Sequence, residues 1–250
     1  MSNTDKVILI TGAASGIGAA TAAHLVSQGY RLWLSDLSID QISLRFQKDR
    51  GLWAHANVRC VDVSDSEAVS AWIKACHQEA GRIDGLFNCA GINPTSIPLE
   101  TTSDAYFDKL MATNVKGTFN CCRAVIPFLK SGGTIVNVSS ILGLHPLAQN
   151  SVYCATKYAI VGFSKSLALE LGPSGVRVNV VAPGYGLVLR LLQLKALIGI
   201  GTFARLRILA LWRERKGSKH RRRRLRWDEW GLRMRSRLSW DFCSVMRRRT

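Results

Sequence analysis

The fold of this chain is decided near its start, by the stretch Lys6-Val-Ile-Leu-Ile-Thr11-Gly12-Ala-Ala-Ser-Gly16-Ile-Gly18. The apolar run predicts a β-strand and the glycines predict a turn, after which the apolar spacing over Ala19–Gln28 predicts a helix that stops at Gly29. Glycines in such a turn let a diphosphate approach the backbone, and the first N–H groups of the helix favour its negative charge. The glycine spacing differs from the usual dinucleotide fingerprint Gly-x-Gly-x-x-Gly, but its place between strand and helix still predicts a nucleotide site.

Strands and helices are predicted to alternate along the next 150 or so residues. Such alternation is typical of a doubly wound α/β domain, a parallel sheet with helices on both faces, known as the Rossmann fold. A capping box, Ser64-Asp-Ser-Glu67, is expected to open the second long helix. The predicted strands are Arg31–Asp36, Val58–Asp62, Gly85–Asn88, Gly133–Ser140 and Val176–Ala182, and the predicted helices are Leu44–Arg50, Ser64–Ala80, Thr101–Lys130 and Ser151–Leu171.

An acidic residue, Asp36, ends the second predicted strand, about two dozen residues after Gly12. A carboxylate there can accept hydrogen bonds from both hydroxyls of an adenosine ribose and would repel a 2′-phosphate. Neither Ser15 nor Leu37 supplies a compensating cation, so NAD is expected rather than NADP. Ala90 and Gly91 follow the fourth strand, where small residues suit a ligand that lies against the strand end.

Tyr153 and Lys157 are four residues apart in a predicted helix, so their side chains face the same way. A nearby lysine cation stabilises a phenolate and lowers the pKa of tyrosine, which makes it a candidate general acid/base. Asn114 lies in the interior of another predicted helix, although asparagine is a mediocre helix former. Hydroxyls end the fifth strand at Ser139 and Ser140, on the edge where doubly wound sheets bind ligands.

Composition indicates a globular protein of 250 residues with 47% hydrophobic residues, enough for one sizeable core. The N-terminus has no signal-peptide pattern, and the seven cysteines form no Cys-x-x-Cys pair. We therefore expect reduced thiols, a cytoplasmic location and no metal site.

The net charge of +17 is concentrated at the C-terminus. Residues 1–184 contain 15 basic and 13 acidic residues, whereas residues 185–250, here called the tail, contain 19 and 4. The basic excess therefore says nothing about the partners of the first 184 residues, and the two parts are interpreted separately.

Seven motifs in order resemble the short-chain dehydrogenase/reductase family over about residues 5–184. The run Asn-Cys-Ala-Gly differs by one residue from the family's usual Asn-Asn-Ala-Gly. The seven motifs are Thr11-Gly12-x-x-x-Gly16-x-Gly18, Asp62-Val63, Asn88-Cys89-Ala90-Gly91, Asn114, Ser140, Tyr153-x-x-x-Lys157 and Pro183-Gly184.

The resemblance implies reversible oxidation of an alcohol by hydride transfer to NAD(P), with roles for individual residues. Tyr153 would exchange a proton with the substrate oxygen, and Lys157 would lower the tyrosine pKa and hold the nicotinamide ribose. Ser140, which matches the family's spacing to Tyr153 better than Ser139, would bind that oxygen, and Asn114 would hold a water in the proton relay. The cofactor set would comprise Gly12, Ser15, Gly16, Ile17, Gly18, Asp36, Asp62, Val63, Asn88, Ala90, Gly91, Pro183 and Gly184, together with Tyr153 and Lys157.

The tail loses the family pattern. Val188 stands where the family has a threonine near the nicotinamide, and no final strand is expected in residues 185–250. Arg- and Trp-rich sequence follows Trp212, including the clusters Arg221–Arg224 and Arg247–Arg249. A shifted reading frame or mis-spliced gene model explains this abrupt change best, and we expect the tail to have low order. Binding of the tail to nucleic acid or a membrane surface is the weaker interpretation, because no periodic face is visible.

Two functions remain open at this point. The first is an NAD-preferring oxidoreductase acting on a secondary alcohol or ketone, either as a homodimer through Lys109–Lys130 and Tyr153–Leu171 or as a homotetramer. The second is a dinucleotide-binding or nucleic-acid-associated protein that is inactive because the segment covering the substrate is lost. Leu142, Leu144, His145 and Tyr185 are candidates to line the substrate pocket.

Overall fold

The computed structural model describes residues 5–42, 53, 56–92, 96–184 and 208–211. They form a parallel sheet in the order β3-β2-β1-β4-β5-β6-β7. The strands are β1 (Val7–Thr11), β2 (Arg31–Asp36), β3 (Ala56–Cys60), β4 (Ile83–Asn88), β5 (Leu129–Val138), β6 (Arg177–Pro183) and β7 (Ile208–Leu211). The predicted doubly wound α/β class is confirmed.

The helices that cover the sheet lie between successive strands, as the alternation predicted. They are α1 (Gly16–Ser27), α2 (Ser66–Ala80), α3 (Asp104–Leu110), α4 (Gly117–Val125) and α5 (Ser151–Leu171). A π-helical segment, Met111–Lys116, joins α3 to α4 without a break. Residues 39–42 are also helical, and the helix predicted over Leu44–Arg50 lies outside the described residues.

Two apolar layers enclose the central strands, which is why those strands are continuous hydrophobic runs. All five residues of β1 are buried. Leu9 packs on one face with Trp72 and Ile135, whereas Ile10 packs on the other face with Leu25 and Leu34. The alternation of side chains along β1 therefore supplies both cores.

Several predicted element ends were wrong. Asp65, rather than Ser64, caps α2, because its carboxylate accepts from the N–H groups of Glu67 and Ala68. The single helix predicted over Thr101–Lys130 is the composite α3–π–α4 run and ends at Val125, one residue before a short 3₁₀ turn. Strand β5 begins four residues before Gly133, and both serines follow the strand instead of ending it.

The expectation of no further strand in the tail was also wrong. Residues Ile208–Leu211 pair in parallel with β6 and form the seventh strand of the sheet. The physical reason is a short apolar run, Ile-Leu-Ala-Leu, which suits a parallel strand. The edge of β6 is therefore paired along Val180–Pro183. The other tail predictions lie outside the described residues.

The sheet reverses its winding direction between β1 and β4. From β1 the chain proceeds to β2 and β3 on one side, then returns to place β4 on the other side of β1. The helical connections diverge at this point, which opens a crevice at the carboxyl ends of the two strands. The glycine turn after Thr11 and the Cys89-Ala90-Gly91 run after Asn88 both lie at this crevice.

Candidate active site

One cavity of about 890 Å³ extends along the carboxyl edge of the sheet. It brings together most of the predicted site residues. The predicted cofactor-binding residues and the predicted catalytic residues therefore border the same space. The predicted residues that line it are Gly12, Ser15, Gly16, Ile17, Asp36, Asp62, Val63, Ala90, Gly91, Ser140, Tyr153, Lys157, Pro183 and Gly184. Gly18, Asn88 and Asn114 are not in its lining.

The glycine turn is packed too closely for side chains. Gly12 has φ +68, and a Cβ there would lie 2.7 Å from the backbone nitrogen of Ala90. A Cβ at Gly18 would overlap the carbonyl oxygen of Gly12. Gly18 therefore allows the start of α1 to pack against the backbone of Gly12, although Gly18 does not line the cavity.

The Thr11 side chain links the glycine turn to the end of β4. Its Oγ1 accepts hydrogen bonds from the backbone N–H groups of Cys89 and Ala90, both at 3.1 Å. Thr11 is buried, so these two bonds are shielded from water. We refer to this arrangement as the Thr11 clasp, and it fixes the backbone of the cavity wall relative to β1.

Asp36 orders the neighbouring loop while it lines the cavity. One carboxylate oxygen accepts from Ala14 N–H at 2.9 Å and the other from Ser38 N–H at 3.2 Å. Each oxygen retains acceptor capacity for a ligand hydroxyl. Leu37, the adjacent lining residue, is 66% exposed and brings no positive charge.

The loop at Asp62 and Val63 is supported from α4. Asn120 Nδ2 donates to the carbonyl of Val63 at 2.9 Å, and a Cβ at Gly117 would lie 2.6 Å from Val63 Cγ2. Asp62 accepts from the backbone N–H and the hydroxyl of Ser64, both at 2.8 Å. This end of the cavity is therefore a rigid wall with an exposed carboxylate.

Tyr153 and Lys157 lie on the first turns of α5, and both are buried. Lys157 Nζ lies 5.7 Å from the centroid of the Tyr153 ring and donates to the carbonyl of Val138 at 3.1 Å. Burial lowers the pKa of Lys157 to about 8. The ammonium is therefore still mostly charged at neutral pH, when it can stabilise a phenolate nearby.

The two serines after β5 play different parts. Ser139 Oγ donates to the carbonyl oxygen of Lys157 at 2.8 Å, so its proton is already used. Ser140 Oγ accepts from Leu142 N–H at 3.2 Å, which leaves its own proton for a ligand. Of these two hydroxyls, that of Ser140 is the one with a proton available to a ligand in the cavity.

Asn114 holds the wall behind the cavity. Its Oδ1 accepts from Ile92 N–H at 2.7 Å, and its Nδ2 donates to the Ile92 carbonyl and to Thr156 Oγ1, both at 3.2 Å. The amide protons are both used, and the residue lies in the π-helical segment. Support of the chain after Gly91 thus explains the polar residue in this helix.

Asn88 supports the same wall from within the sheet. Its Nδ2 donates to Asn137 Oδ1 on β5, and Asn137 donates in turn to Ser164 on α5, both at 2.8 Å. Cys89, the residue that departs from the family's pattern, lines the cavity. Burial raises the pKa of its thiol to about 12, so it is neutral at physiological pH.

Some cavity residues were not predicted. Ile92, Ile141 and Leu142 form an apolar part of the lining beside Tyr153, and Leu142 alone had been considered. Leu144 and His145 are not in the lining, and Tyr185 lies outside the described residues. Lys109, Ala112 and Thr113 line the wall formed by α3 and the π-helical segment. Their spacing of three and four residues indicates a common helix face, which is the sequence feature that could have identified them.

The donor set fits a dinucleotide better than a metal ion. The glycine turn offers close backbone approach at the start of α1, and Asp36 offers acceptors one strand away. Within the described parts of the chain, no group of three or more His, Cys, Asp or Glu residues could hold a metal ion. A search of the same residues finds no helix with the length and apolarity to cross a membrane.

Comparison with known proteins agrees with this geometry. The model of the family described as short chain dehydrogenase matches residues 6–188. Levodione reductase of Leifsonia aquatica is 37% identical over 185 residues, which cover 72% of this chain and 69% of the relative. D-threitol dehydrogenase of Mycolicibacterium smegmatis is 42% identical over 183 residues, covering 71% and 69% of the two chains.

Solved structures are similar over the same part of the chain. The crystal structure of levodione reductase has a TM-score of 0.68 at 35% identity and covers 72% of this chain and 71% of its own. A short chain dehydrogenase from Burkholderia cenocepacia J2315 in complex with NADP has a TM-score of 0.69 at 30% identity, covering 74% and 76%. The expected resemblance is thus confirmed over its full range, and this chain belongs to the short-chain dehydrogenase family of NAD(P)-dependent oxidoreductases.

Proposed function

We propose that this oxidoreductase interconverts a secondary alcohol and its ketone, with Tyr153 as the acid/base and NAD as the preferred cofactor. The observation that carries the proposal is the shared cavity, in which Ser140, Tyr153 and Lys157 face the same space as the glycine turn and Asp36. When bound, the nicotinamide would supply or accept the hydride, and the protein would handle the proton.

Tyr153 would donate its phenolic proton to the substrate oxygen during reduction and accept it during oxidation. The Lys157 ammonium, held 5.7 Å from the ring centroid, favours the phenolate and so lowers the cost of proton release. Burial of both residues strengthens this electrostatic effect, because less water screens it. Lys157 would also bind the nicotinamide ribose.

Ser140 would orient the substrate by donating its hydroxyl proton to the same oxygen that Tyr153 contacts. A substrate oxygen held by two donors is polarised toward hydride addition. The adjacent Ile92, Ile141 and Leu142 would accommodate apolar carbon atoms next to the reacting centre. Asn114, which is hydrogen-bonded to Ile92 and Thr156, would support the path by which the proton leaves or reaches Tyr153 beyond Lys157.

The proposed preference for NAD depends on Asp36. Both carboxylate oxygens have one backbone partner each, and both could still accept from the adenosine ribose hydroxyls. A 2′-phosphate at that position would meet the carboxylate and no cation on Leu37. The Burkholderia relative is in complex with NADP. The preference of this chain is therefore best tested by changing the charge at Asp36 and comparing the use of the two cofactors.

The substrate class is proposed from the chemistry of the site and from the names of relatives. A levodione reductase and a D-threitol dehydrogenase are among the similar proteins, and both names denote oxidoreductases. A cytoplasmic location and a homodimer or homotetramer are proposed as well. We propose residues 1–184 as the catalytic unit and residues 185–250 as a divergent tail.

We further propose that the tail arises from a shifted reading frame or mis-spliced gene model. The family match ends at residue 188, after which the chain is rich in leucine up to Trp212 and then rich in arginine and tryptophan. Sequencing the transcript across the codons for residues 184–190 tests this directly. An unbroken reading frame through the tail would remove the hypothesis.

The function is tested by assaying the purified full chain with NADH and a panel of acyclic and cyclic ketones. Turnover that is lost in Tyr153→Phe while NADH fluorescence still reports binding supports the enzyme. Binding without turnover by the unmodified chain supports a non-catalytic dinucleotide-binding protein. Salt-sensitive RNA or DNA binding that disappears when Arg221–Arg224 are replaced by glutamine supports the nucleic-acid alternative.

A further inference from the structure

We propose that Thr156 is a positioning residue whose hydroxyl holds the Asn114 amide against Ile92, with the amide oxygen toward Lys157, and fixes the first turn of α5. The proposal rests on the function proposed above for Tyr153 and Lys157. It assigns a role to a buried residue outside the cavity lining.

The direction of the hydrogen bonds at Thr156 is determined by its single proton. Thr156 is fully buried, and its Oγ1 donates to the carbonyl of Tyr153 at 2.8 Å. The hydroxyl can therefore only accept in its second bond, which comes from Asn114 Nδ2 at 3.2 Å. The turn that carries Tyr153 is thus tied directly to the π-helical segment.

The Asn114 amide has no unused proton in this arrangement. Its second N–H binds the Ile92 carbonyl, and its oxygen accepts from the Ile92 N–H. Loss of the Thr156 hydroxyl would leave one buried N–H without an acceptor, which is energetically unfavourable. The amide or α5 would then have to move to relieve that cost.

Such a movement would change the electrostatic surroundings of the Lys157 ammonium. A point beside Gly91, where a Cβ would stand, lies 3.2 Å from Asn114 Oδ1 and 3.5 Å from Lys157 Nζ. The amide oxygen, which is the negative end of the amide dipole, and the ammonium therefore both border the space beside Gly91. Among the described residues, the titratable groups near the same ammonium are the Tyr153 phenol and the neutral Cys89 thiol.

The test compares Thr156→Val, which removes the hydroxyl at similar volume, with Thr156→Ser, which retains it. We expect Thr156→Val to lower kcat for ketone reduction about 10- to 100-fold, the range for loss of supporting hydrogen bonds, with NADH affinity within about twofold. Thr156→Ser should recover kcat to within about threefold of the unmodified chain. Equal losses in the two variants would overturn the role of the hydroxyl.

A matched control is Thr134→Val on β5. Thr134 is also buried, and its hydroxyl has no hydrogen-bond partner among the described residues. The same substitution there should leave kcat unchanged. A comparable loss of kcat in this control would show a general effect of valine substitution and overturn the proposal.

A second measurement does not require turnover. In full-length protein labelled with [ε-¹³C]lysine, the Lys157 signal is assigned by its absence in Lys157→Met and titrated by NMR. Thr156→Val should raise the acid dissociation constant of Lys157 at least about threefold, because the dipole that stabilises the ammonium is displaced. An unchanged constant would overturn the inference even if ketone reduction is observed. A chain that reduces no ketone but shows this change would instead contradict the proposed function alone.

Discussion

The carbonyl oxygen of Lys157 accepts a hydrogen bond of 2.8 Å from the hydroxyl of Ser139. The ammonium of the same lysine donates to the carbonyl of Val138, the residue before that serine. Both ends of Lys157 are therefore attached to the chain that leaves β5. The position of the charge is set by the strand as well as by the helix.

The two adjacent serines should differ when each is replaced by alanine. Ser140→Ala should lower kcat/KM for a ketone about 100-fold or more, because a donor to the substrate oxygen is lost. Ser139→Ala should lower it about 10-fold, because the carbonyl of Lys157 loses its hydrogen bond from the chain that follows β5. Steady-state kinetics with NADH would measure both effects.

Ser166→Ala on the exposed side of α5 is the control for these serines. Its hydroxyl donates to the Glu170 carboxylate at the surface and lies outside the cavity lining, so activity should not change. A larger loss in Ser139→Ala than in Ser140→Ala would contradict the proposed assignment.

Lys157→Met should make the protein more stable near pH 7 while abolishing activity. Burial lowers the pKa of Lys157 from 10.5 to about 8. A shift of that size corresponds to a cost of about 3 kcal/mol in folding free energy for keeping the buried lysine charged. Loss of the hydrogen bond to Val138 in the variant would offset about 1 kcal/mol of the gain. Urea unfolding near neutral pH should therefore show a net gain of about 2 kcal/mol for the variant.

The gain should shrink as the pH rises. Between about 8 and 10.5 the unfolded chain binds a proton at this lysine and the folded chain does not, so the unmodified protein becomes more stable with pH. Lys74→Met, at an exposed lysine of α2, should show neither effect. A constant difference between Lys157→Met and the unmodified chain across this window would contradict the buried charge.

Tyr153→Phe should reduce kcat about 10²- to 10⁴-fold, because only the proton-transfer group is removed. NADH binding, followed by fluorescence, should be retained within a few-fold, since the ring still packs in the same place. Tyr158→Phe is the matched control on the same helix, where the hydroxyl donates to the Leu144 carbonyl. Loss of activity in both variants alike would point to damage to α5 rather than to chemistry.

Asp36→Asn should increase the ratio of NADPH to NADH use at least about tenfold, equivalent to 1.4 kcal/mol. Asparagine can still accept from Ala14 N–H, but it removes the charge that a 2′-phosphate would meet. Asp40→Asn, at an exposed residue outside the cavity lining, should leave the ratio unchanged. Competing turnover of the two cofactors at equal concentration gives the ratio directly.

Much of the fold and of the candidate site followed from local signals in the sequence. Helix α5 was predicted from Ser151 to Leu171 and has those bounds, because its apolar spacing is regular over the whole length. Most of the residues expected from motifs line one cavity, because strand ends of a parallel sheet meet at one edge.

The features that could not be predicted depend on contacts distant in sequence. The π-helical segment at Met111–Lys116 places Asn114 against Ile92 and Thr156, and no local pattern indicates that pairing. The sequence places the hydroxyls of Thr11 and Ser139 at predicted strand ends but does not indicate their hydrogen-bond partners. Their partners are backbone groups 78 and 18 residues away, and only the assembled sheet brings these groups within reach.

The Thr11 clasp has a consequence for synthesis of the chain. It joins residues separated by 78 positions, and the β1–β4 pairing that brings them together is equally non-local. Such parallel pairing forms slowly, because a long loop must close before any contact is gained. During synthesis on the ribosome, the segment of the first strand and glycine turn would therefore emerge long before the chain could bind a nucleotide. Binding would require that β4 had also emerged.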